Sequence, residues 1–224
     1  GLSGQVTSLG QAIVILGLQQ IRNLVLSVSA FGTLKAKTPN QIDTMEQFWL
    51  HSFGTAAATQ IISTKKGLTL DECESACVGG LLHDIGRLFL FANFGQTYTQ
   101  VIRHAEQKKL EMEVVEKRLL GLTHSEVGRQ MAIHWKLPKT LVHLIGGHEG
   151  PFSPEVVDPL LFTLHVADWL TKGLYFGTDE IPTKTPPAVV MDWLNFSPEQ
   201  LDWLETEVEA KVDEARQLYG LMAA

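Results

Sequence analysis

The sequence has 224 residues, 45% of them hydrophobic and 19% charged, the proportions of a chain that can bury a sizeable core. A formal charge of −7 argues against the clustered Lys/Arg stripe needed to replace the counterions of a duplex, so no direct nucleic-acid binding is expected. No run approaches eighteen uninterrupted apolar residues, and no basic segment leads into an apolar stretch with a cleavage site. A cytoplasmic protein off the membrane is therefore expected.

In chain order, Ala12, Ile13, Ile15, Leu16, Leu18, Ile21, Leu24, Val25 and Leu26 recur at helical steps, predicting two short helices or one bent at Gly17. Cys73 and Cys77 stand four apart in an apolar helical segment, where thiols pack as small hydrophobes; their spacing is neither a redox nor a zinc-knuckle pattern. Thr69-Leu70-Asp71-Glu72 and Thr123-His124-Ser125-Glu126 fit the capping box, in which a Thr and a Glu three residues on satisfy each other's backbone N–H. Ser153-Pro154-Glu155 and Ser197-Pro198-Glu199 place Pro at a first helical position. Gly173 to Pro187 is rich in breakers and predicts a long loop before a final helix from about Pro198 to Tyr219. No polar/apolar alternation or hairpin turn marks a strand. With no linker-like stretch, the reading is one all-α domain over 1–224, an irregular compact multi-helix bundle.

The chemistry concentrates at His83-Asp84, flanked on both sides by apolar residues that predict a core helix. An ionised Asp buried there must be paired, neutralised or bound to a metal. Possible companions are His51 after Phe48-Trp49-Leu50, His124 at a helix start, His148 with Glu149 after a Gly-rich turn, and Asp168 three residues after His165. Imidazole and carboxylate donors without sulfur suit Mn, Fe, Zn or Mg. The plainer reading of His83-Asp84 is a His–carboxylate pair satisfied internally. His104, His134, His143 and His165 read as structural or exposed, the five tryptophans as core and helix-packing material, and the acidic last helix as a solvated face.

The ordered set His51, His83-Asp84, Asp168 resembles the H…HD…D signature of the HD metal-phosphohydrolase superfamily. The flanks Ser8-Leu9-Gly10-Gln11-Ala12-Ile13, Phe48-Trp49, Gly121-Leu122-Thr123-His124-Ser125-Glu126-Val127-Gly128 and Trp135-Lys136-Leu137-Pro138 narrow that resemblance to the HDOD family. The resemblance implies an HD-type helical fold, a place in bacterial signalling beside other regulatory domains, and a tendency to have lost catalysis. Family members usually carry a further N-terminal helical part, expected just upstream of Gly1. Compared with the related HD-GYP phosphodiesterases, His124 and His148 fall at additional ligand positions, which favours two metal ions over one. Gly147, Gln47 and Gly150-Pro151-Phe152 depart from the HD-GYP pattern and disfavour cyclic-di-GMP hydrolysis. Implied ligands are His51, His83, Asp84, His124, His148 and Asp168. Asp84 and Arg87 are the implied catalytic residues, with Arg87 retaining the charge of the usual Lys as a planar fork able to grip phosphate. Glu149 would orient a ligand or a water. Two functions follow: a regulatory or protein-interaction module in signalling with other proteins or domains as partners, or a metal-dependent phosphohydrolase acting on a nucleotide or other phosphoester.

Overall fold

The computed structural model describes residues 39–175 and 185–223, with side chains over 47–172 and 185–213, all within one compact unit. The helices expected around 12–26 lie outside the described residues, as does 176–184, the middle of the expected loop. Every regular element described is a helix. In chain order these are α1 (Pro39–Lys65), α2 (Leu70–Leu82), α3 (Ile85–Lys108), α4 (Met112–Leu120), α5 (His124–His134), α6 (Lys139–Gly147), α7 (Pro159–Tyr175), α8 (Ala188–Leu194) and α9 (Pro198–Ala223).

Both capping boxes form. Thr69 N donates to Glu72 Oε2 at 2.8 Å and starts α2; Thr123 N donates to Glu126 Oε2 at 2.8 Å, with Glu126 N returning to Thr123 Oγ1 at 3.2 Å, and starts α5. Gly121 ends α4 in the left-handed region at φ 77°, where a Cβ would be strained, so the chain turns within three residues and presents His124 as the first residue of α5.

Long α1 packs on α2, α7 and α9, while α5 bridges α3 and α6. One core gathers Leu50 and Ile62 of α1, Phe162 and Val166 of α7, Leu194 of α8 and Leu204 and Val208 of α9. A second joins Leu90, Tyr98 and Val101 of α3 to Met112 and Val115 of α4. Two glycines set how closely the helices bearing the polar residues approach. A Cβ at Gly80 would lie 2.8 Å from Ala56 Cα and 2.9 Å from Thr55 O, so α2 meets α1 backbone to backbone. A Cβ on Gly86 would lie 2.7 Å from Gly128 N and closer still to His124 O, so α3 and α5 meet the same way.

The structure corrects four readings. His83-Asp84 is not inside one helix: His83 caps α2, and Asp84, at φ −95° and ψ 14°, forms the break before α3. Pro154 opens no helix, because the chain stays irregular until Pro159, where Asp158 Oδ1 accepts from Leu161 N at 3.0 Å. The loop expected from Gly173 begins later, since α7 continues to Tyr175. The tryptophans serve as packing rather than as fully buried core: Trp169 and Trp193 lie against the first core, Trp49 and Trp135 are half-buried, and Trp203 is exposed, with Lys65 Nζ 4.0 Å above its ring. Cys73 and Cys77 are free and partly buried, and burial pushes the Cys77 thiol up to about 11. The stretch Leu70–Lys108 has the length and composition of a membrane span, yet it is two helices broken at His83-Asp84. In addition, 56% of its apolar window is buried in the bundle, as in a core helix.

Candidate metal centre

Five helices deliver six polar side chains to one place: His51 from α1, His83 and Asp84 from the α2–α3 junction, His124 from the first residue of α5, His148 from the end of α6, and Asp168 from α7. None is more than 1% exposed. His51 Nε2 and His83 Nε2 are 3.2 Å apart, and Asp168 Oδ1 lies 3.1 and 3.3 Å from them. Asp84 Oδ2 completes this first group at 3.9 and 3.6 Å. His124 Nε2 and His148 Nε2 are 3.3 Å apart, with Asp84 Oδ1 at 3.2 and 3.6 Å. Asp84 thus faces two adjacent ligand groups with its two oxygens, as a bridging carboxylate would.

The imidazoles are oriented from behind. His83 Nδ1 meets Gly80 O at 2.8 Å, His148 Nδ1 meets Ile145 O at 2.9 Å, and His124 Nδ1 meets Glu116 Oε2 at 2.7 Å. Those acceptors can only receive a proton, so each Nδ1 carries one, and a ring in its neutral form turns its Nε2 lone pair to the centre. Lone pairs converging within 3.3 Å of one another beside carboxylate oxygens repel unless a proton or a metal cation stands among them. Asp84 Oδ1 and Asp168 Oδ1 are buried without a well-angled hydrogen bond. These residues fit a divalent ion of borderline or hard character, in one or both groups.

The carboxylates are partly compensated by protein cations. Arg87 Nη1 donates to Asp84 Oδ2 at 2.7 Å, and Lys172 Nζ spans Asp168 Oδ2 at 2.6 Å and Glu149 Oε1 at 2.8 Å. Burial alone would raise both Asp pKa values; Arg87 at Asp84 and Lys172 at Asp168, with the imidazoles, hold both well below the ordinary range. Glu149 is likewise brought down to about 2, Lys172 overcoming burial. Burial draws His51 down to about 4 despite Asp168. At His124 burial opposes the charge, but Glu116 and Asp84 outweigh it and lift the ring to about 10.

All six expected ligands converge. Arg87 reaches Asp84, and Glu149 lies at the rim, 23% exposed, with Oε1 3.9 Å from His124 Nε2 and 4.0 Å from His148 Nε2. Gln47 is exposed one turn before His51. Of the histidines set aside, His143 pairs with Asp158 at the surface, while His165 Nδ1 donates to His148 O at 2.8 Å and so fixes that backbone. Sequence reading missed Lys172, Glu116 and Tyr98. Lys172 had a signal, a cation one helical turn after Asp168. Glu116 had none, because its partner lies across a helix–helix junction.

The HDOD domain family model matches residues 1–151, a span that includes five of the six converging residues and stops before Asp168. Among solved structures, the chain resembles an HDOD domain protein of unknown function from Geobacter sulfurreducens, with a TM-score of 0.66, 23% identity, and coverage of 96% of this chain and 74% of that one. A candidate phosphohydrolase from Shewanella amazonensis SB2B is similar at a TM-score of 0.60, 24% identity and the same coverages. A candidate signal transduction protein from Marinobacter aquaeolei VT8 is similar at 0.62 and 22% identity, over 79% of this chain and 39% of that one. At these identities the likeness shows the fold. Comparison with curated proteins finds no match. The family match over two thirds of the sequence and the shared all-helical fold together establish that this chain belongs to the HDOD domain family.

Proposed function

We propose that this chain is a metal-binding HDOD module of bacterial signal transduction, cytoplasmic, acting as a regulatory domain through contacts with other signalling proteins or domains. The metal part rests on the convergence of four imidazoles and two carboxylates, two of whose buried oxygens lack a well-angled hydrogen bond. His51, His83, Asp84 and Asp168 would hold one ion, and Asp84, His124 and His148 a second. One observation favours a regulatory over a hydrolytic role: the donors are buried, none more than 1% exposed, with Arg87 and the Lys172–Glu149 ion pair between them and the surface. A hydrolytic metal site keeps a position open for water and substrate.

The second reading, hydrolysis of a nucleotide or other phosphoester, is favoured by a cation at each of the two central carboxylates, Arg87 at Asp84 and Lys172 at Asp168, the first of which faces two ligand groups. The chemistry a divalent ion supplies there is Lewis acidity toward a phosphoryl oxygen. Asp84 would orient the ligand groups, and Arg87, released from Asp84, would grip phosphate. Elemental analysis of protein purified without chelator, coupled to a phosphoesterase screen with His83→Ala and Asp84→Ala controls, separates the readings. Bound metal without turnover is expected. Turnover abolished by either substitution would replace the regulatory reading with the hydrolytic one, and failure to bind any metal under loading would overturn the metal part.

A further inference from the structure

The histidines of the centre are not backed alike. His83 and His148 each donate Nδ1–H to a neutral backbone carbonyl, at Gly80 and Ile145. His124 donates instead to a carboxylate, Glu116 Oε2, at 2.7 Å, and its backbone N–H reaches the same oxygen at 2.8 Å. The other oxygen, Glu116 Oε1, accepts from Tyr98 OH at 2.5 Å. Glu116 is fully buried and Tyr98 2% exposed. A buried carboxylate is costly to keep ionised, and here three donors from α3 and α5 satisfy it. A link that merely tied α4 to α3 and α5 would be served by the Tyr98 hydroxyl and the backbone N–H of His124. The additional bond to the ring nitrogen fixes which imidazole atom faces Asp84 and makes that atom a stronger donor.

We infer that Glu116, held by Tyr98, is the positioning residue of the His124–His148 half of the centre, making that half depend on a negative charge placed outside the ligand set. The inference rests on the metal-binding reading above. Its consequence is an asymmetric centre in which the His51–His83 half, backed by Gly80 O at His83, is indifferent to Glu116.

The test is titration of the metal-free chain with Co²⁺, read by visible absorption and by chelator competition. His148→Ala and His51→Ala identify which binding class belongs to which half. Glu116→Gln keeps the side chain's length and an oxygen able to accept from Nδ1–H, but removes the charge. The His148-dependent class is expected to weaken by about 10–100-fold, with a changed absorption band, while the His51-dependent class keeps its affinity. Tyr98→Phe should weaken the same class by about threefold, and it decides the matter if Glu116→Gln loses its far-UV helical signal. Equal weakening of both classes, or no change in the His148-dependent one, overturns the inference and leaves the metal reading standing. A wild-type chain that takes up no Co²⁺ overturns both.

Discussion

Lys172 offers a sharp test of how the centre is held together. Its ammonium sits 2.6 Å from Asp168 Oδ2 and 2.8 Å from Glu149 Oε1, and Asp168 is 1% exposed. Lys172→Met preserves most of the stem and deletes the charge. Glu149 is partly exposed and can recover water, so the loss falls on Asp168. Removing one partner of a buried ion pair costs about 3–5 kcal/mol. At roughly 2–4 °C per kcal/mol for a domain of this size, the metal-free protein should melt about 6–20 °C lower. A divalent ion at His51, His83 and Asp168 Oδ1 would replace much of the lost compensation, so the decrease in metal-loaded protein should be less than half as large. By reciprocity the variant should bind metal more tightly, about tenfold for each 1.4 kcal/mol by which the two decreases differ. Thermal melts with and without chelator, and one metal titration, measure all three. Equal decreases in the two states, or a metal-free decrease below about 2 °C, would refute the idea that Lys172 and the ion share the work of neutralising Asp168.

Other expectations concern the same centre. Chelation of wild-type protein should lower the melting temperature, because only the folded chain brings α1, α2, α5, α6 and α7 together around the ligands; an unchanged melt in a sample shown to have lost metal would argue against that crosslink. Gly86→Ala drives a methyl group to 2.7 Å from Gly128 N and nearer to His124 O. It should cost about 1–3 kcal/mol and weaken binding at the His124–His148 half, and a variant of wild-type stability would show that α3 and α5 are less tightly apposed. In chelator, stability should peak near pH 6.5. The charge on His124, favoured up to about 10 by Glu116 and Asp84 against burial, contributes fully below 6.5 and is lost as pH rises toward 10. Neutral His51, favoured by burial down to about 4, contributes above 6.5 and is lost as pH falls toward 4. Asp84 and Asp168 add a loss below about pH 4 as they protonate. A metal-free melting curve that rises from pH 7 to 9 would contradict the assignment of His124.

Legibility in the sequence followed the range of the interactions. The two capping boxes involve residues three apart, and both form at Thr69 and Thr123. The helical period and the lack of alternation are equally local, and every described element is a helix. His83-Asp84 was conspicuous because a polar pair interrupts an apolar run, but its break between helices was not. Nothing in Leu81-Leu82-His83-Asp84-Ile85-Gly86 stops a helix by propensity; the chain bends where α2 meets α1 at Gly80 and α3 meets α5 at Gly86. Pro154 was misleading because a first-turn proline permits a helix without compelling one, and the segment beyond it supplies no apolar stripe until Pro159. At the centre, residue types suggested His51, His124, His148 and Asp168, whereas their counter-charges depend on which helices touch. Glu116 reads as one more acid in a charged helix until α4 is laid against α5.

Arg87 is where the two functional readings part. Its Nη1 lies 2.7 Å from Asp84 Oδ2, one turn along from the carboxylate it neutralises, and its side chain is 12% exposed. If Arg87 serves chiefly to hold Asp84 ionised and oriented between the two ligand groups, a point charge does nearly as well as a fork, and Arg87→Lys should change stability and metal affinity little. Arg87→Met, which strands a buried carboxylate, should then cost about 3–5 kcal/mol in the metal-free state and distort both metal classes together, since Asp84 faces both. If Arg87 instead grips phosphate, the planar fork matters in itself, and Arg87→Lys should lower kcat/KM on any phosphoester turned over while leaving metal content and melting temperature near wild type. The buried donors and the existing Arg87–Asp84 bond favour the first outcome. An Arg87→Lys variant that keeps its metal and its stability but loses turnover would show the bond to be one that substrate displaces.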